Sequence, residues 1–216
     1  MAMTKKLIIV GGGGFSREVI WLARECNENW DILGILDDSS AMLGQPFCGV
    51  QVIGAIKDCI NFPDAYFVVA VGSPRTRKAI VNRMLSYGSV NFATLIHSSV
   101  LKSEYVEIGA GSIITAGCIL TTQITLGRHS IVNLSCTIGH DVIVGDFCTL
   151  APMVAVSGNV NFGEGVEVGT GVAIIQGLTM GDGSFVGAGA VVTKSIPPNV
   201  LAVGCPARQA KALEAF

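Results

Sequence analysis

The chain has 216 residues, 27 of them glycine, and only 14% are charged, which leaves a net charge of −2. Half of the residues are hydrophobic, but no apolar run approaches the roughly 18 to 20 residues that cross a bilayer. The absence of a basic stripe excludes a nucleic-acid partner, and seven cysteines without C-x-x-C spacing indicate neither a disulfide framework nor a zinc cluster. We therefore expect a cytoplasmic protein with no membrane insertion and no metal.

The first part of the chain alternates strand-like and helical runs. Residues 6–10, 32–36 and 65–71 are apolar and strand-like, whereas residues 15–26 and 75–85 carry apolar side chains at helical spacing. This rhythm predicts a small Rossmann-like parallel sheet, an α/β unit. Its ligand site is expected at the carboxyl ends of the strands.

A glycine-rich turn follows the first predicted strand. Residues 11–14 are all glycine and precede a helix, a setting in which backbone N–H groups bind phosphate. The dinucleotide fingerprint is incomplete because Ser16 stands where its third glycine belongs, so the support for NAD is weak. Asp37 and Asp38 end the second strand, where an acidic residue commonly meets a ribose or base. Ser73 and Arg77 follow a strand on the same edge of the sheet and could complete a pocket.

The second part of the chain is a hexapeptide repeat. Every sixth residue from Ile108 to Val192 is large and apolar, fifteen in succession, and the residue four places after each is mostly small or β-branched. Such a unit builds a parallel β-helix with three faces and 18 residues per coil, so fifteen hexads make five coils. Periodicity alone allows either hand. We place the domains at residues 1–97 and 98–205, with a capping helix at residues 206–216.

The six-residue period locates one histidine at a coil corner. His140 follows Gly139 and precedes Asp141, and Gly158 should lie one coil above it. The N–H of Gly158 could then donate to a developing oxyanion, although a glycine there could equally serve the turn alone. On the repeat alone, His140 is either a general base or a corner residue bonded to a backbone carbonyl.

The repeat and six short segments resemble one family over essentially the whole chain. The segments are GGGGFSREV, LDDS, GSPRTRK, LIHSSV, GHDVIVGDF and VGCPARQ. The chain resembles the family of sialic acid O-acetyltransferases and nucleotide-aminosugar N-acetyltransferases. That resemblance implies a left-handed β-helix, assembly as a homotrimer, acetyl-CoA as co-substrate and a nucleotide-sugar substrate.

The resemblance also implies roles for individual residues. His140 is the general base, Asp141 raises its basicity, and Asn133 lies near the acceptor amine. The residues implied for the acetyl-CoA groove are Thr149, Thr170 and Ala188, to which we add Lys194 as a phosphate contact. Those implied for the nucleotide sugar are Gly13, Gly14, Phe15, Asp37 and Asp38. At Thr149 and Phe15 the chain departs from the histidine that members often carry.

We therefore expect an N-acetyltransferase that acetylates the amine of a nucleotide-linked amino sugar. A 4-amino-4,6-dideoxy sugar for lipopolysaccharide or capsule is the first expectation. The alternative is a sialic acid O-acetyltransferase. A non-catalytic trimeric scaffold and a redox enzyme using the glycine-rich turn are hypotheses from other classes.

Overall fold

The structure, a computed structural model, describes residues 4–216 and begins with a six-stranded sheet. Two α-helices, α1 (Gly14–Glu25) and α2 (Pro74–Tyr87), and two short 3-10 helices, Ser40–Met42 and Ile56–Asn61, accompany this sheet. The strands are β1 (Lys5–Val10), β2 (Trp30–Leu36), β3 (Pro46–Phe47), β4 (Val50–Gly54), β5 (Tyr66–Val69) and β6 (Asn91–Phe92). Their spatial order is β3-β4-β2-β1-β5-β6, and all neighbours are parallel except β3 and β4. The Rossmann-like prediction is confirmed, with one antiparallel edge strand added.

Local sequence explains both helices of this unit. The buried residues of α1, among them Val19, Ile20 and Ala23, recur at helical spacing and pack between the sheet and the β-helix. Helix α2 begins at Pro74, whose fixed φ suits the first helical turn, and the Ser73 hydroxyl accepts a hydrogen bond from the Thr76 N–H.

The rest of the chain winds into stacked coils of very short strands. These strands are β7 (Leu95–Ile96), β8 (Leu101–Lys102), β9 (Val106–Ile108), β10 (Ile113–Ile114), β11 (Ile119–Leu120), β12 (Ile124–Leu126), β13 (Ile131–Val132), β14 (Thr137–Ile138), β15 (Ile143–Val144), β16 (Thr149–Leu150), β17 (Ala155–Val156), β18 (Asn161–Phe162), β19 (Glu167–Val168), β20 (Ala173–Ile174), β21 (Thr179–Met180), β22 (Phe185–Val186), β23 (Val191–Val192), β24 (Val200–Val203) and β25 (Arg208–Ala212).

The coils form three flat faces around one apolar core. Face 1 holds β7, β10, β13, β16, β19, β22, β24 and β25, face 2 holds β8, β11, β14, β17, β20 and β23, and face 3 holds β9, β12, β15, β18 and β21. Strands pair in parallel at a spacing of 18 residues, as in Ile114 with Val132 and Val132 with Leu150. The predicted apolar column is confirmed as core, and the coils form the left-handed parallel β-helix that the resemblance implied.

The C-terminal segment is a strand, and the predicted capping helix at residues 206–216 is wrong. Strand β25 runs antiparallel to β24 and completes the last edge of face 1. The alanine, lysine and leucine content of this segment favours a helix locally, but pairing with the open edge of β24 satisfies its backbone instead. The tail then reaches α2, where Arg75 donates to the carbonyl oxygens of Glu214 and Ala215 at 2.6 and 2.7 Å.

Face 1 carries the N-terminal sheet unit on its outer side. Helix α1 packs on Leu95, Ile113 and Ile131, which are the outward-facing residues of the first three strands of this face and are 0–1% exposed. This packing fixes the sheet unit on face 1, opposite the corner where face 2 turns into face 3. Among residues 4–216 no helix combines the length and apolar character that a bilayer crossing requires.

Candidate active site

His140 lies at the corner that joins face 2 to face 3, two residues after the end of β14. Its Nδ1 is 2.7 Å from Oδ2 of Asp141, and the two side chains are 65% and 58% exposed. Asp141 has φ 57, in the left-handed region that aspartate enters more readily than most residues. A carboxylate only accepts hydrogen bonds, so this contact assigns the imidazole proton to Nδ1 and leaves the lone pair of Nε2 free to accept another.

Gly158 lies one coil above His140, as the period predicted. A Cβ built at Gly158 would be 2.5 Å from Nε2 and 2.6 Å from Cε1 of His140. A side chain here would therefore displace the imidazole, which explains the glycine without any appeal to turn conformation. Within residues 4–216 the Gly158 N–H has no hydrogen-bond acceptor, so it is free to donate beside Nε2.

Lys194 belongs to the same corner column as His140. It is 54 residues further along the chain, which is three coils of 18, and it is exposed. At the strand spacing of about 4.8 Å the two residues lie about 14 Å apart along the β-helix. The corner surface between His140 and Lys194 is therefore extended and ends at the ammonium group of Lys194.

Asn133, Thr170 and Ala188 lie at a different corner, where face 1 turns into face 2. The Asn133 side-chain oxygen accepts from the Leu134 N–H at 2.8 Å and lies 3.3 Å from the Thr115 hydroxyl. Thr170 and Ala188 are exposed and stack one coil apart. One chain therefore places Asn133 at one edge of face 2 and His140 at the other.

A second candidate site is a cleft of about 470 Å³ at the carboxyl ends of β1, β2 and β5. It is lined by the glycine turn, Phe15, Asp37 and Asp38 from the predicted set. Gly13 is the N-cap of α1, and a Cβ built at Gly13 or Gly14 meets nothing within 4 Å. Open space before a helix N-terminus suits a phosphate group, which the N–H groups and the helix dipole favour.

The two aspartates of the cleft have different partners. Asp37 accepts from the backbone N–H groups of Gly12 at 2.6 Å and Ser39 at 2.8 Å, so it shapes the turn. Asp38 accepts from the Ile56 N–H at 3.0 Å and forms an ion pair with Arg83. The carboxylate of Asp38 is thus the one held by a charged side chain as well as by the backbone.

Sequence reasoning missed one wall of the cleft. Thr76, Ile80 and Arg83 of α2 line it together with Ile56. The three helical residues have the spacing i, i+4 and i+7, which places them on one face of α2. That spacing, together with the predicted ligand site at the edge of the sheet, could have predicted that these three residues line the cleft.

Three comparisons relate the chain to known proteins. Residues 6–84 match the family model described as PglD N-terminal domain. The chain is 31% identical to the acetyltransferase domain of PglB from Neisseria gonorrhoeae in complex with acetyl coenzyme A, covering 96% of this chain and 100% of that one with a TM-score of 0.89. It is 30% identical to PerB from Caulobacter crescentus in complex with CoA and GDP-perosamine, covering 98% and 100% with a TM-score of 0.87.

The chain belongs to the PglD-type family of sugar N-acetyltransferases. A further relative is UDP-N-acetylbacillosamine N-acetyltransferase from Bacillus subtilis strain 168, 34% identical over 120 residues. That match spans 52% of this chain and 52% of the Bacillus protein, about half the length of each.

Two residues that we predicted as ligand contacts of this PglD-type chain are buried between the two units. Arg77 is 1% exposed, and its guanidinium donates to carbonyl oxygens on both sides of the junction. Thr149 is 8% exposed, and its hydroxyl donates to the Gly72 carbonyl oxygen at 2.7 Å and accepts from Arg77 at 2.9 Å. Neither side chain is open to a ligand in the single chain, because the sheet unit covers face 1. Ser73 caps α2 and lies outside the cleft lining.

His129 of this PglD-type chain lies in the same junction and takes no part in either site. Its ring stacks on Phe147 at 5.1 Å and meets the edge of Phe92 at 4.5 Å. Burial, followed by the positive charges of Arg77 and Arg128, lowers the pKa of His129 to about 4. The ring is therefore neutral at physiological pH.

Proposed function

We propose that the chain is an acetyl-CoA-dependent N-acetyltransferase that acetylates the amine of a nucleotide-linked amino sugar. The observation that carries this proposal is that one chain contains two sites. In the first, Nε2 of His140 is free and lies beneath the unpaired N–H of Gly158. The second is the cleft at the glycine turn, which suits a phosphorylated ligand. The Caulobacter relative binds CoA and GDP-perosamine, which supports an amino sugar as the acceptor. We expect a 4-amino-4,6-dideoxy sugar destined for a surface glycan.

In the proposed reaction, His140 acts on the acceptor amine. The amine nitrogen attacks the thioester carbonyl carbon, a C–N bond forms, and Nε2 of His140 takes the proton that the nitrogen must lose. The carbonyl electron pair moves to oxygen, where the Gly158 N–H donates to it. The oxyanion then collapses, the C–S bond breaks, and the imidazolium returns its proton to the CoA thiolate.

Acetyl-CoA is a substrate, and the corner column of His140 fits it. The thioester lies beside His140 and Gly158, while the extended pantetheine follows the column toward Lys194, whose ammonium suits a phosphate group. Thr170 and Ala188 are exposed at the other edge of face 2, and those of a neighbouring copy would supply the second wall of this groove. A length of about 14 Å between His140 and Lys194 is of the order of an extended pantetheine arm.

The topology of one chain supports a homotrimer. The nucleotide cleft belongs to the unit on face 1, whereas His140 lies at the opposite corner, so the two cannot serve one substrate within a chain. Cyclic symmetry about an axis facing face 2 brings the Asn133 corner of one copy against the His140 corner of the next. Leu101 and Ile119, outward on face 2, are 64% and 41% exposed in the single chain and would be covered.

The test is turnover of acetyl-CoA with a panel of acceptors, followed by mass spectrometry of the products. The panel contains UDP-, GDP- and dTDP-linked 4-amino-4,6-dideoxy sugars beside free and CMP-linked sialic acid. We expect one nucleotide-linked amino sugar to gain an amide-bound acetyl group. Acetylation of the sialic acids alone would contradict the proposal and establish the O-acetyltransferase alternative.

A further inference from the structure

Arg77 links the floor of the nucleotide cleft to the β-helix. Its Nη1 donates to the carbonyl oxygens of Val71 at 2.7 Å and Gly72 at 2.8 Å, and both of these residues line the cleft. The same side chain therefore holds the backbone that follows β5 at the carboxyl edge of the sheet.

The other half of the guanidinium bonds to the β-helix. Nε donates to the His129 carbonyl oxygen at 2.8 Å, and Nη2 donates to those of Phe147 and Cys148 at 2.7 and 3.1 Å. A further bond from Nη2 reaches the Thr149 hydroxyl, which itself donates to the Gly72 carbonyl oxygen. One planar group thus bonds to four residues of the β-helix, one in the first of two successive coils and three in the second.

Burying the charged guanidinium of Arg77 costs free energy, which is unexpected for a residue that only fills space. Arg77 is 1% exposed and, within residues 4–216, forms no ion pair. Burial lowers the pKa of Arg77 to about 10, so the group is still a cation at neutral pH. Backbone carbonyl dipoles balance the charge of the guanidinium. Because a buried group without a hydrogen-bond partner is unfavourable, these bonds hold the carbonyl groups tightly in position.

Helix α2 extends the effect of Arg77 to the far wall of the cleft. Arg77 follows Thr76 directly, and Thr76, Ile80 and Arg83 of the same helix line the cleft. A shift of Arg77 would therefore move the floor and one wall together. The glycine turn before α1 would not follow, because it is held by the Gly12 contact with Asp37.

We propose that Arg77 is a positioning residue, which sets the shape of the nucleotide-sugar cleft and its placement on the β-helix of its own chain, and through the trimer its placement relative to His140 of the neighbouring copy. This inference rests on the proposed function for the identity of the ligand. The fork of five N–H donors is essential to it, because a lysine ammonium has the charge but cannot span acceptors on both units.

The experiment compares Arg77→Lys and Arg77→Met with the wild type in the full-length protein. Steady-state kinetics at saturating acetyl-CoA give kcat and KM for the amino sugar, and calorimetry gives dissociation constants for UDP, GDP, dTDP and CoA. For both variants we expect the dissociation constant of the preferred nucleotide to rise at least about 10-fold and kcat to fall by up to about 100-fold, since small misplacements are this costly. CoA binding should stay within about 2-fold of the wild type.

Two controls separate positioning from a general loss of stability. Ile174→Ala leaves a cavity in the β-helix core, far from the junction, and lowers Tm without touching the cleft. If the Arg77 variants do not fold, Thr149→Val removes one bond to the guanidinium and one to Gly72, and a rise of about 3-fold in the nucleotide dissociation constant is expected.

The outcomes distinguish this inference from the proposed function. Nucleotide affinity unchanged in Arg77→Lys, or lowered no more than in Ile174→Ala, would overturn the positioning role even if the wild type acetylates an amino sugar. A wild type that binds a nucleotide but acetylates no amino sugar would refute the proposed function, and the nucleotide measurements would still decide the role of Arg77. A wild type that binds none of the three nucleotides would overturn both.

Discussion

Gly158 and His140 are neighbours through space because they are one 18-residue coil apart along the chain. The imidazole of His140 occupies the volume that a side chain at Gly158 would need, with Nε2 2.5 Å from the position of a Cβ. Gly158 thus leaves room for the imidazole of His140, and its own N–H stays free beside that ring. This relationship is the geometric centre of the proposed reaction.

Gly158→Ala should separate these two residues. The added methyl must displace the ring of His140, so kcat should fall about 100-fold or more, the usual cost of losing an aligned oxyanion donor or base. Circular dichroism and Tm should change little, because the corner is at the surface of the coil. Asn161→Ala, an exposed change on face 3 of the same coil, is the matched control and should stay within about 2-fold. Equal activity of Gly158→Ala and wild type would show that the ring position does not matter.

Asp141→Asn should weaken the base without moving it. The amide keeps the size of the carboxylate but loses the charge that favours the imidazolium, and it can hold the ring in the wrong tautomer. Because both side chains are largely exposed, we expect kcat to fall about 10- to 100-fold, less than the ~10⁴-fold of a buried triad aspartate. Steady-state kinetics across pH 6 to 9 would measure this, and a rate equal to wild type would remove Asp141 from the mechanism.

Much of this protein could be predicted from the hexapeptide period, and the rest depends on contacts that no local pattern encodes. Ile114, Val132 and Leu150 stack because each repeat has the same length, so the core and the Gly158–His140 pair follow from counting. Arg77 and Thr149 looked like ligand contacts because their positions match or adjoin ligand-binding segments. Only the docking of the sheet unit on face 1 determines that both are buried.

The C-terminal strand shows a second limit of local patterns. Residues such as Ala210 and Lys211 favour a helix, but the exposed edge of β24 offers hydrogen bonds that a short helix at the chain end cannot match. Arg83 was missed for a related reason. Its helix face is evident in the sequence, but its partner Asp38 comes from the end of β2 and is brought near only by the sheet.

His129 makes stability depend on pH in a defined window. Its pKa is about 4 when folded and about 6.5 when unfolded, so the unfolded chain takes up the proton first as pH falls. The free energy of unfolding should therefore be highest above about pH 6.5 and drop by about 2 kcal/mol at pH 5 from this group. Burial, followed by the positive charges of Arg77 and Arg128, lowers the pKa of His129, while Asp146 opposes them.

Urea unfolding at pH 7.5 and pH 5.0, at one protein concentration, tests the His129 prediction. His129→Phe is the control, since Phe147 occupies the equivalent position one coil later with φ 60 against 55 for His129. The wild type should lose about 2 kcal/mol more than His129→Phe between the two pH values. Equal losses in both proteins would mean that His129 is not the responsible group.

The trimer proposal predicts complementation between two inactive variants. His140→Ala lacks the base, and Gly13→Trp fills the open space of the cleft. If the cleft of one copy serves His140 of the next, the whole population of trimers made by refolding the two variants together at equal amounts should regain about a quarter of the wild-type sites. Each variant alone should be inactive. No recovery in mixtures that native mass spectrometry shows to be mixed trimers would mean that cleft and base act within one chain.

The most direct test of the account is the acetylation rate of His140→Ala with the preferred nucleotide-linked amino sugar. The proposed general base predicts a fall of about 10²- to 10⁴-fold in kcat, with CoA affinity by calorimetry and trimer mass by light scattering both unchanged. A kcat within about 2-fold of wild type, with the same N-acetylated product, would contradict the catalytic role of His140.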